Sequence, residues 1–75
     1  MTDKRRILMG QAREEARSAL RMFKQVFEEE STAFSHLSEG AQANAKGQQM
    51  ESNIETLEEI IGVIEDYIEI SYQVR

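Results

Sequence analysis

Residues 50–74, MESNIETLEEIIGVIEDYIEISYQV, carry more apolar surface than one neighbouring helix can cover, and the rest of the chain has to be fitted around them. Met50, Ile54, Leu57, Ile61, Ile64 and Ile68 recur at steps of four and three, the spacing that sets side chains on one face of an α-helix. Ile60, Val63, Tyr67, Ile70 and Val74 repeat the pattern. Adjacent residues on a helix sit ~100° apart, so the second stripe lies beside the first and the two together are wider than a coiled-coil seam. The first stripe is expected to be core, packed on Ala16, Ala19, Phe23 and Phe27. The second is expected to face another molecule.

The remaining residues offer only one helix to pack against. With 75 residues the chain is a single domain, of a size at which one core is marginal without a disulfide, a metal or a partner. There is no Cys, and the lone His36 has no histidine companion for a metal site. Association is the staple that remains. Pro and Trp are also missing, and good helix formers dominate. The expected fold is all-α: an antiparallel, coiled-coil-like two-helix hairpin, stabilised by association.

The first helix is predicted over about 3–31, capped by Thr2 or Asp3. Its inward stripe reads Leu8, Ala12, Ala16, Ala19, Phe23, Val26 and Phe27, so a facing helix can approach closely at the alanines and is wedged apart at the phenylalanines. Met9, Leu20 and Met22 lie to the side, and Leu20 and Met22 are assigned to the partner-facing surface with the second stripe. Glu28, Glu29 and Glu30 are expected to fray, because a helix C-terminus disfavours negative charge. A connector is predicted over about 32–40, with Phe34 and Leu37 folding back as a plug over Phe27, Met50 and Ile54. The second helix is predicted over about 41–73, opening on Ala41, Ala43 and Ala45, with Gly40 and Gly47 as other candidate boundaries. Gly62, among carboxylates on the polar side, reads as an exposed glycine or as a point of close approach by a partner backbone.

Charge is sorted along the chain. Residues 1–24 hold seven cations and three carboxylates, whereas residues 25–75 hold two cations and 11 carboxylates. An antiparallel pair sets the basic start of one helix beside Glu58, Glu59, Glu65, Asp66 and Glu69 of the other. Exposed pairs contribute only ~0.2–1 kcal/mol each, so they choose orientation rather than hold the fold. The net charge of −5 argues against nucleic acid, whose phosphates require an excess of Lys and Arg. Lys4, Arg5 and Arg6 precede only three apolar residues, fewer than the about 7–15 of an export signal or the about 20 of a membrane span. The expected location is the cytoplasm, unless a specialised export machine that reads no such signal takes the chain, with no membrane insertion.

Chemistry finds little to stand on. No serine or threonine has a base to activate it, and phosphate loops and dinucleotide fingerprints are missing. His36 and Glu39 have helical spacing, but a metal needs three or four ligands. The adjacent carboxylates Glu58 and Glu59, or Glu65 and Asp66, diverge by ~100° on a helix and form a solvated stripe rather than a catalytic dyad. No enzyme and no cofactor is expected.

Arg13, Glu14, Glu15 and Ala16 in the first helix, and Ile54, Glu55, Glu59, Ile60, Ile61, Val63, Ile64 and Tyr67 in the second, together with the length and the placement of the connector, resemble a known family. It is the small co-chaperones of type III secretion needle subunits, which includes the SsaE, YscE and PscE proteins. Gly62 and the glycine-containing start of the second helix depart from its pattern. The resemblance implies a helical hairpin that binds and stabilises a larger chaperone of tetratricopeptide-like repeats and, through it, helps keep the needle subunit soluble before export. Two other roles fit the residues alone: a homodimeric four-helix-bundle scaffold or regulator, and an acidic helical inhibitor or antitoxin.

Overall fold

The computed structural model describes residues 1–75 and is all-α. Helix α1 spans Asp3–Ser35, a short α2 spans Glu39–Ala43, and α3 spans Ala45–Ser71. The two long helices lie side by side in an extended pair measuring 58 × 15 × 13 Å. Contacts between them descend along α3 as they ascend α1: Arg13 meets Ser71, Lys24 meets Glu65, and Glu30 meets Asn53. The helices therefore run in opposite directions. The radius of gyration is 17.2 Å, against about 11 Å for a globular domain of this length.

Helix α1 begins where Thr2, in extended conformation, accepts a hydrogen bond on Oγ1 from the Arg5 amide, with Asp3 in the first turn where negative charge is favoured. It continues four residues past the predicted end. Phe34 extends the inward row set by Phe23 and Phe27, and packing of that row outweighs the weak propensities of Ser31, Thr32 and Ser35. Glu28, Glu29 and Glu30 consequently lie inside the helix rather than at a frayed end, and Glu30 accepts a hydrogen bond from Asn53 Nδ2 at 3.0 Å.

The predicted connector contains a helix of its own. Ser38 Oγ accepts from the Ala41 amide at 3.2 Å and starts α2, while Asn44 Oδ1 accepts from the Gly47 amide at 3.0 Å and starts α3. Asn44 is extended, with ψ 176°, so the helix predicted from residue 41 breaks there and restarts at Ala45. Gln42 Nε2 donates to the carbonyls of Phe34 and Leu37 at 3.1 and 3.2 Å, tying α2 to the end of α1 and the turn after it. Gly47 is the only fully buried residue. A Cβ on it would lie 2.4 Å from the carbonyl oxygens of both Ala41 and Gln42, so this corner excludes every other residue. Gly40 and Gly62 have open space around the same position.

Met50, Ile54, Leu57, Ile61, Ile64 and Ile68, the stripe expected to be core, are half-buried, as are Ala16, Ala19, Phe23 and Phe27. No hydrophobic side chain is fully buried. The accessible surface is 5785 Å², whereas a globular monomer of this mass exposes about 4,700 Å². The surplus is on the order of 1,000 Å².

Candidate functional site: the two flanks of the helix pair

Grooves run along both flanks where α1 and α3 meet, and the flanks differ in what lines them. On one flank Arg17 and Leu20 face Glu65, Glu69 and Tyr72. Lys24 Nζ lies 3.3 Å from a Glu65 carboxylate oxygen, the one ion pair between the helices. The Arg13 guanidinium sits 4.4 Å from the centre of the Tyr72 ring and that of Arg17 at 5.8 Å, and Arg17 also donates to the Tyr72 hydroxyl. Arg13 Nε donates to Ser71 Oγ at 2.8 Å and its Nη2 to the Ser71 carbonyl at 2.7 Å. The last turn of α3 has no basic residue of its own, so the other helix supplies the positive charge that this end favours. Tyr72 is thus engaged within the chain.

The opposite flank carries more apolar surface and no ion pair; the hydrogen bond from Asn53 Nδ2 to Glu30 crosses it near the corner. Val26 and Ile60 face each other across one groove, and Met22 and Val26 edge a hollow with Ala19 and Phe23. Tyr67, two turns beyond Ile60 on the same face, borders a further groove of about 240 Å³ lined by Ala12, Ala16, Ile64 and Ile68, with Met9 and the Arg13–Ser71 pair completing it. The alanines predicted to admit a close neighbour leave this space unfilled. Tyr67 is 67% exposed and Met22 63%.

The surface assigned from the sequence divides accordingly. Ile60 is half-buried; Val63, Tyr67 and Ile70 are exposed, with Val63 and Ile70 further round the outer side of α3. Val74 is exposed but lies past the end of α3, in a terminal turn closed by its own amide on the Ser71 carbonyl, so it does not continue the helical stripe. Leu20 does not share a face with Met22. Residues two apart on a helix point ~200° from each other, which sends Leu20 to the charged flank, where it is half-buried, and Met22 to the open one.

Three ion pairs exist in the chain, Arg6 with Asp3, Arg17 with Glu14 and Lys24 with Glu65, and none lies on the open flank. No group of three or more His, Asp or Glu side chains is placed to hold a metal ion, and no helix is long and apolar enough to cross a membrane. Compared with family profiles, curated proteins and solved structures, the chain matches none.

Proposed function

We propose that this protein is a small helical-hairpin co-chaperone of a bacterial type III secretion system, which docks its open flank on a larger, tetratricopeptide-like needle chaperone in the cytoplasm. The surplus of exposed surface carries the reading. Surplus surface on the order of 1,000 Å² is comparable with the about 800 Å² that each partner contributes to a standard interface. Among the exposed side chains are Met22, Val26, Val63, Tyr67 and Ile70, large and apolar, the kind that supplies most of the energy of association, at roughly 1.5–3 kcal/mol each before the costs of binding. The family resemblance names the partner. Docking completes the core that the hairpin alone leaves half-open, and through the larger chaperone it contributes to keeping the needle subunit unpolymerised.

Co-purification tests this. The double variant Ile60→Asp with Tyr67→Asp is expected to keep its helicity by circular dichroism and to lose the larger chaperone. Retention of the chaperone by that variant would assign the contact to another face.

A further inference from the structure

The groove between Ala12 and Ala16 on α1 and Ile64 and Ile68 on α3 has the dimensions of a socket for one side chain. Its volume is about 240 Å³; an apolar cavity of about 150 Å³ already takes up benzene, whereas pockets for whole small molecules begin near about 300 Å³. Met9, Ala12, Ala16, Ile64, Tyr67 and Ile68 supply its apolar lining, and Arg13 and Ser71, hydrogen-bonded to each other, complete it. Largely apolar hollows of this kind, beside an exposed aromatic, are where interfaces place their anchoring residue.

Charge selects what presents that anchor. Glu15 stands one turn from both Ala12 and Ala19, and Glu59 and Asp66 stand one turn from Val63 and Ile70, so carboxylates border the apolar band on both helices. None of the three is ion-paired, while Arg13, Arg17 and Lys24 are all engaged by groups within the chain. A second copy would add another net charge of −5 and set acidic α3 margins against each other. We infer that the socket receives a single large apolar side chain, phenylalanine or leucine, from a partner helix whose flanking positions are basic.

This rests on the docking role proposed above but is tested separately from it, by filling the socket from within. Ala12→Leu with Ala16→Leu adds bulk where the walls are far apart and retains good helix formers, so melting temperature is expected to hold or rise. The probes are synthetic 18-residue amphipathic helices: one with a central phenylalanine and lysine flanks, one with that phenylalanine replaced by alanine, and one with glutamate flanks. The first should bind the full-length protein and shift the amide resonances of Ala12, Ala16, Ile64 and Ile68. Its affinity should fall at least about 10-fold for the filled variant, and the other two peptides should show a similar deficit against the parent protein. Equal binding by the filled variant, or by the glutamate-flanked peptide, overturns the inference. If the filled variant also still co-purifies with the needle chaperone while Ile60→Asp with Tyr67→Asp does not, the docking flank stands and the socket is not its anchor. A dimer of the protein alone, dispersed by filling the socket, would make a second copy the occupant and likewise overturn the inference.

Discussion

The two flanks of this helix pair are built by the same helices at the same spacing, yet they are closed to different degrees. On the charged flank, side chains that are long and polar reach across the groove: Lys24 to Glu65, Arg17 to the Tyr72 hydroxyl, Arg13 to the end of α3. On the open flank Asn53 reaches Glu30 near the corner and Arg13 meets Ser71 at the far end, but between them the facing residues are Val26 and Ile60, Ala16 and Tyr67, too short or too far apart to close the gap. Polar groups at a helix pair's margin can be satisfied by one another and by water. Apolar ones can be satisfied only by more protein. The contrast makes the charged flank the side that sets how the helices meet, and is the basis for proposing the open flank as the docking side.

The largest effect should appear when the flanks are compared in binding. Ile60→Asp with Tyr67→Asp is expected to weaken the larger chaperone's hold by more than about 100-fold, while Lys24→Ala with Glu65→Ala moves it by less than about 3-fold. Titration calorimetry on the purified pair checks both, and equal losses would erase the distinction. Stability should show the reverse order. Arg13→Ala removes two hydrogen bonds and a cation–π contact from the end of α3, a loss of about 1–3 kcal/mol, whereas Met22→Ala on the open flank should stay within about 0.5 kcal/mol in denaturant melts of the free protein.

A smaller gain is expected at Gly62, which lies among Glu58, Glu65 and Asp66 with open space where a Cβ would go. Gly62→Ala should stabilise the protein by about 0.5–1 kcal/mol, since it removes backbone freedom from the unfolded chain without a clash. Binding to the chaperone should not change. A drop in affinity would mean that a partner backbone approaches the helix at this point, and would extend the docking surface beyond the open flank.

Periodicity was enough to read the helices and the difference between the half-buried and exposed stripes of α3, because spacing at threes and fours fixes faces whatever the partner is. It was also enough, applied strictly, to separate Leu20 from Met22; grouping them by proximity in sequence ignored the ~200° between them. The corner was harder. Ser38 and Asn44 are N-cap residues, but alanines at 41, 43 and 45 carry the opposite message, and only the packing of α2 over Gly47 decides between propensity and cap. Tyr72 could not have been assigned at all without the register of the helices, since its two arginines lie 55 and more residues away. The alanine groove has the same origin: small residues permit close approach, and whether the helices take it depends on the bulkier pairs on either side.

The smallest effect concerns the ion pair that most visibly marks the charged flank. Lys24 and Glu65 are each about half exposed, at 49% and 50%, so water screens their attraction and holding two flexible side chains together offsets much of what is left. A double-mutant cycle on stability should give a coupling of about 0.2–1 kcal/mol, shrinking as salt is raised from about 0.1 to 1 M and the screening length falls from about 10 to 3 Å. The Arg13 contacts should persist over the same range, because stacking on Tyr72 and a short hydrogen bond to a helix-end carbonyl depend on contact rather than on distant charge. If the Lys24–Glu65 coupling instead exceeded about 1.5 kcal/mol and ignored salt, the ion pair would be holding the helices together. The charged flank would then rank as a structural seam in its own right, and the half-buried apolar stripes between the flanks would matter less to the fold than their burial implies.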